Sequence, residues 1–379
     1  MTHGVITFRN GKIFNGQSLR IGQAARFEDG RLTALGPDAE VAKDGDVVDL
    51  AGDILSPGYV DLQVNGGDGV MFNDDPSPET LARIANAHRR LGVTSLLPTL
   101  ITDTAEKSRA AIAAAIDAVQ SGVQGIAGLH LEGPHLSVVR KGAHDPALIR
   151  PMEQRDLDML LAATQALPVL KVTVAPENVT EDQVAALAKA GALVSLGHTD
   201  ADFDTCRRYF AAGARCVTHL FNAMSQLGNR EPGLVGAALA SGQVSSGLIA
   251  DAVHVHPEAM RTAWAAKTGP GRIFLVSDAM AVAGTDCTSF RLGGRRINRN
   301  AGILTLENGT LAGADLDLTM AIRVMVEEVG VPTVAALEAA TTVPAELIRT
   351  SARRLDSGYP TLSGVIRISR DLRGVSAAI

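Results

Sequence analysis

From residue 54 onward the chain alternates between two kinds of hydrophobic pattern. Continuous apolar runs at 59–64, 94–98, 125–131, 169–175, 193–197, 216–220, 246–250 and 273–277 read as strands buried on both faces. Between them, apolar positions recur at helical spacing over 78–91, 104–119, 153–166, 181–190, 203–212 and 257–267. Gly92, Gly191 and Gly213 follow three of these stretches, where a left-handed residue closes a helix. Eight strand runs alternating with helices predict an α/β fold, a parallel (β/α)8 TIM-like barrel. An open doubly wound sheet is the competing arrangement, but no GxGxxG follows an early strand. Residues 1–53 differ: short β-prone pieces at 5–8, 22–27 and 47–50 are separated by the hairpin-type pairs Asn10-Gly11 and Asp29-Gly30. Beyond Ala279 the alternation weakens into an inserted hairpin (295–306), helices at 316–329 and 333–340, a short helix at 344–349 with Pro344 at its start, and a strand at 365–368. The expected organisation is a small β-sandwich domain built from both termini (1–53, with a return over 351–379) and a barrel over 54–350.

Composition narrows the classes without choosing one. The 379 residues are 46% hydrophobic and 20% charged, with a formal net charge of −6. No basic run or aromatic-interleaved basic stripe suggests nucleic acid, and no apolar run approaches the ~20 residues of a membrane span. The N-terminus lacks the pattern of a signal peptide, and three scattered cysteines without CxxC spacing fit a reducing cytoplasm. Aromatic residues make up only 3%, so helices must pack on strands through small side chains.

Candidate chemistry lies where the apolar runs stop. The run 125–131 ends in Glu132-Gly133-Pro134-His135, and a carboxylate at the mouth of a buried strand must be paired, solvated or bound to a metal. The fifth, sixth and eighth runs end in or beside His198, His219 and Asp278. One such residue is ordinarily a satisfied core group; four on different strands of a barrel whose active site lies at the strands' C-terminal ends point to one site. Two imidazoles and a carboxylate form a divalent-metal set with an open fourth position. Asp278 then reads as the acid–base group, with a fourth ligand or an arginine partner as the competing roles.

The motifs PGYVDLQVNGGDG (57–69), LHLEGPH followed by KGAH, APEN (175–178), LGHT (196–199), THLFNAM (218–224), ADAVHV (250–255), VSDAM (276–280) and LAGADLDLTM (311–320) stand in one order along the chain. In that combination the sequence resembles the N-acetylglucosamine-6-phosphate deacetylases of the amidohydrolase superfamily. The resemblance implies that Glu132, His198 and His219 hold one divalent ion, zinc or ferrous iron, and that Asp278 is the catalytic carboxylate. It implies that His144, with Ala143 beside it, contacts the substrate near its acetamide, and that Asn222 and Ala223 contact the sugar phosphate. Arg230 and His254 match phosphate-binding positions commonly supplied in part by a neighbouring subunit, which implies a homodimer. Many amidohydrolases carry His-x-His at the end of the first strand, where this chain reads Gln63-Val64-Asn65. Amides are poor ligands, so a single ion is expected, with Gln63 and Asn65 counted among the substrate-binding residues. The C-terminal SGYPTLSGVIRISRDLRG also departs from the family, which has a Gly-rich turn and an Ala-Asp-Leu strand there.

The implied reaction is removal of the acetyl group from N-acetyl-D-glucosamine 6-phosphate, giving D-glucosamine 6-phosphate and acetate, in cytoplasmic amino-sugar catabolism. The galacto epimer is the alternative substrate. A dihydroorotase-like cyclic amidase fits less well, since Lys171 stands near the start of the fourth run rather than at its end. A catalytically dead scaffold would not need the intact four-residue set.

Overall fold

The computed structural model describes residues 4–42, 44–349, 355 and 361–379. Eight parallel strands form one sheet in sequential order: β1 (Tyr59–Val64), β2 (Val93–Ile101), β3 (Leu129–Glu132), β4 (Leu170–Val174), β5 (Leu193–Leu196), β6 (Cys216–Val217), β7 (Ser245–Leu248) and β8 (Ile273–Leu275). Neighbouring strands pair from β1 through β8, and the ring shuts without a ladder between its ends. The single parallel bridge Val64–Ala279 joins them, and Asp278 N donates to the Gln63 carbonyl at 3.1 Å. Beneath that seam the buried Asp61 carboxylate accepts from the Gln63 and Ser277 amides at 3.2 Å each. A side chain thus adds to the few backbone bonds that join β1 to the segment after β8. The seam carries Gln63 and Asn65 on one side and Asp278 on the other.

The amphipathic stretches form helices close to their predicted limits, among them Pro78–Arg90, Ala105–Gln120, Glu181–Ala190 and Phe203–Ala212. Gly191 and Gly213 adopt φ of +107° and +125° at the last two ends, as a glycine C-cap requires. Small residues set the helix–strand spacing: Ala111, Ala114, Ala115 and Ala118 are buried on one helix face. A helix at Gly233–Ala240 was not expected from the pattern, because its residues up to Leu239 are all buried and nothing alternates. The short C-terminal helix runs Thr342–Leu347, two residues earlier than expected; Pro344 still falls in its first turn, where an amide hydrogen is not needed.

Two further sheets come from the ends of the chain. A four-stranded sheet orders Arg31–Pro37, Gln23–Glu28, Val5–Arg9 and Asp46–Asp49. In a five-stranded sheet, Val365–Ile368 pairs antiparallel with Ile54–Pro57, so the C-terminal segment returns to the N-terminal sheets. They share a core of Phe8, Phe27, Leu50, Leu55 and Val365, with the Phe8 and Phe27 rings edge to face at 5.7 Å. Asn10 and Asp29 hold φ of +56° and +48°, as their turns demand. Part of the expected C-terminal return, 351–354 and 356–360, lies outside the described residues. The expected insertion is a three-stranded meander, Ser289–Leu292, Arg295–Asn300 and Ile303–Leu306. Its Leu292, Ile297 and Leu304 pack on Met71, Ile101 and Met280, roofing one side of the barrel mouth.

Candidate active site

The strands deliver their last side chains to a cavity of about 390 Å³ at the C-terminal mouth of the barrel. Glu132 is the final residue of β3; His198, His219 and Asp278 follow β5, β6 and β8 by two or three positions. All four are at least 90% buried. His198, His219 and Asp278 take left-handed φ of +49°, +29° and +48°. Such backbone costs of order 1–3 kcal/mol per non-glycine residue and persists where the surroundings over-determine it. Here it turns His198 and His219 toward one point shared with Glu132, and Asp278 to its side.

That point is a triangle of donor atoms. Glu132 Oε1 lies 3.2 Å from His198 Nε2 and 3.2 Å from His219 Nε2, and the two Nε2 atoms are 3.0 Å apart. These three groups form the potential metal cluster found among the described residues. His198 Nδ1 donates to the Arg140 carbonyl at 2.8 Å, which fixes its proton there and leaves Nε2 a lone pair. The three donor atoms lie close enough together for one cation to reach them all. Burial pushes Glu132 up, but the His198 and His219 imidazoles beside it outweigh that and hold the acid well below the usual carboxylate range. Burial pushes His219 down, but the Glu132 hydrogen bond and charge raise it overall. The donor set therefore fits a divalent cation.

Asp278 stands beside the triangle rather than in it. Burial, then the Glu132 charge, push its pKa above the ordinary carboxylate value. Its Oδ1 accepts from Asn65 Nδ2 at 2.7 Å and Gln63 Nε2 at 3.0 Å. Gln63 Nε2 also reaches the two Glu132 oxygens at 3.3 and 3.2 Å. Asn65 lines the cavity, whereas Gln63 is fully buried among the acids.

Ala143, His144, Asn222, Ala223 and His254 also line the cavity. His144 Nδ1 lies 2.8 Å from the Thr102 hydroxyl and accepts from the Thr102 amide at 3.3 Å; with both groups donating, the imidazole proton sits on Nε2. Burial, with repulsion from His198 adding to it, pushes His144 down to about 3, so the ring is a neutral donor. Its ring packs edge to face on that of His198, with centroids 4.4 Å apart. His254 Nδ1 is bound by Asp251 Oδ2 at 2.6 Å. Arg230 is the exception among the expected site residues. It is exposed on the loop after β6, outside the cavity lining, and makes no hydrogen bond or ion pair among the described residues.

The sequence pattern did not single out Thr102, Arg140, Asp251 or Arg295. Thr102 orients His144, the Arg140 carbonyl orients His198, and Asp251 orients His254. Arg295, from the inserted sheet, donates to the Ala143 carbonyl at 2.5 Å and ties the loop bearing His144 to the roof. Only Asp251 had a readable signal, three residues before His254 within ADAVHV.

A model of the amidohydrolase family matches residues 54–360. The chain is 44% identical over 300 residues to an N-acetylgalactosamine-6-phosphate deacetylase of Shewanella sp. (strain ANA-3), covering 79% of this chain and 75% of that one. It is 36% identical over 320 residues to an N-acetylglucosamine-6-phosphate deacetylase of Haemophilus influenzae, covering 84% and 83%. Among solved structures, the N-acetylglucosamine-6-phosphate deacetylase of Pasteurella multocida superposes with a TM-score of 0.89 at 31% identity, over 98% and 97% of the two chains. A variant of the Mycobacterium smegmatis enzyme, in complex with N-acetyl-D-glucosamine-6-phosphate, superposes with a TM-score of 0.88 at 30% identity, over 99% and 97%.

Proposed function

The chain belongs to the amidohydrolase family, and from that premise we propose that it removes the acetyl group from N-acetyl-D-glucosamine 6-phosphate, releasing D-glucosamine 6-phosphate and acetate. The observation that carries this reading is the convergence of Glu132, His198 and His219 on one point, with the carboxylate of Asp278 beside it. Glu132 Oε1 and the Nε2 atoms of His198 and His219 would hold one divalent ion per chain, zinc first and ferrous iron second. When bound, that ion supplies Lewis acidity and the means to ionise water near neutral pH.

The chain's own residues do the rest. Asp278 accepts the proton of the attacking water and passes it to the departing sugar nitrogen. His144, neutral and protonated on Nε2, donates to the oxygen that becomes negative as the acetamide carbon turns tetrahedral. Asn222 and Ala223 seat the sugar. His254, oriented by Asp251, and Arg230 hold the phosphate, so binding energy remote from the acetamide positions it for attack. Arg230 lies outside this chain's own cavity, and the reading assigns it to the site of the second subunit in a homodimer working in the cytoplasm.

Arg230→Ala should raise KM for the phosphorylated sugar by about 10–100-fold, the loss of one charged hydrogen bond to phosphate at ~1.5–3 kcal/mol. KM for N-acetylglucosamine itself should stay within about two-fold of the parent value; equal effects on both would remove Arg230 from the phosphate site.

The Shewanella relative favours a second reading, in which the galacto epimer is the substrate. The two sugar phosphates differ in the orientation of one hydroxyl. Acetate release from each, with metal measured on the same protein, decides between them. We expect a kcat/KM ratio of at least about ten-fold toward the gluco epimer, the lower end of what one hydroxyl contact discriminates. A ratio of the same size toward the galacto epimer would transfer the assignment.

A further inference from the structure

Gln63 and Asn65 stand two residues apart on the same face of the chain leaving β1, and both are at least 99% buried. Each turns its amide nitrogen to the acids of the site: Asn65 to Asp278, Gln63 to Asp278 and Glu132 together. A side-chain amide nitrogen only donates, and turning either amide over would set an oxygen against a carboxylate. The acids therefore dictate both orientations, at a visible cost. Gln63 Oε1 and Asn65 Oδ1 are buried without a hydrogen-bond partner among the described residues. A fold rarely leaves two acceptors bare on one short segment unless the opposite ends of those side chains matter.

We propose that Gln63 and Asn65 are positioning residues, a neutral amide clamp that fixes Asp278 Oδ1 and its separation from Glu132, leaving Oδ2 free to work as the base. This rests on the reading of Asp278 as the acid–base group. It replaces the expectation that the two amides bind substrate. Both donors converge on Oδ1, while Oδ2 makes no hydrogen bond among the described residues. Gln63, hydrogen-bonded to both acids, bridges two negative groups that would otherwise repel, and does so without adding charge.

The test is a double-mutant cycle on the metal-loaded protein with N-acetylglucosamine 6-phosphate. Asn65→Leu should lower kcat by about 10–100-fold, the range for groups that orient a reacting residue, with KM within about two-fold and metal content unchanged. Asn65→Gln, which keeps a donor, should recover part of that loss. In an Asp278→Asn background, Asn65→Leu should cost nothing further, because the group it positions is already gone. An Asn65→Leu protein with parental kcat, or with its defect in KM or metal content, would overturn the clamp. So would an equal loss in both backgrounds. If Asp278→Asn alone remains active, the base assignment fails first and the clamp with it. Gln63→Leu, read in the same way, gives the answer independently should Asn65→Leu not fold.

Discussion

Asp278→Asn should abolish turnover, lowering kcat by about 10³–10⁴-fold, while the protein stays folded and carries its metal. The magnitude is the upper part of what a positioned general acid–base group supplies. Asparagine keeps the shape, but near pH 7 it cannot take a proton. The NH2 groups of Asn65 and Gln63 would hold the oxygen of the new amide, since they hold Asp278 Oδ1 at 2.7 and 3.0 Å. The new NH2 would then face the cavity, a donor where an acceptor is needed. Metal content should not change, because the ligand triangle is Glu132, His198 and His219. Stability should not fall either. In the metal-free protein, burial and the Glu132 charge both disfavour ionised Asp278, and the neutral amide removes that repulsion, so after chelator treatment the variant's melting temperature should match or exceed the parent's. Acetate release under saturating substrate, metal analysis and a melting curve on one preparation check all three. A kcat within ten-fold of the parent would remove Asp278 from the chemistry.

Much of this arrangement was readable in the sequence because barrels write their active sites at regular places. Each buried strand is a largely apolar run, so an ionisable residue at its C-terminal end stands out; Glu132, His198, His219 and Asp278 are all residues of that kind. What the pattern could not supply was orientation. Gln63 and Asn65 read as poor ligands facing substrate, whereas their nitrogens bind the two acids, a matter of one amide rotation with no trace in residue type. Arg140 acts through a backbone carbonyl, a group that every residue has, and Thr102 through its amide and a hydroxyl common to many buried strand ends. The helix at Gly233–Ala240 was hidden for a related reason: a helix buried on every side has no polar face to give it a period. Likewise, β3 begins only at Leu129 although its apolar run starts at 125. Gly128 lies against the Val169 carbonyl, where a Cβ would come within 2.1 Å, and pairing with β4 starts just beyond it.

His198→Asn should produce the opposite dissociation from Asp278→Asn: metal and activity lost together. Asparagine tolerates the left-handed backbone at φ +49° better than other substitutes, so the loop geometry has the best chance of surviving. The Ser137 amide would still donate to the carbonyl of residue 198. What disappears is one of three donors, and the loss of metal affinity should exceed the ~10–100-fold typical of outer groups that merely orient a ligand. Parent protein should carry about one ion per chain, as three ligands with an open position imply. A cation that binds only the folded state stabilises it by RT ln(1 + [M]/Kd), about 4 kcal/mol when free metal is a thousand times Kd. Added zinc should therefore raise the melting temperature of chelator-treated parent and leave that of His198→Asn unmoved at the same concentration. A variant that kept a stoichiometric ion and turned over would break the triangle as a metal site. Two tightly held ions in the parent would place a second cation beside Gln63 and Asn65, where donor hydrogens, not lone pairs, face the acids.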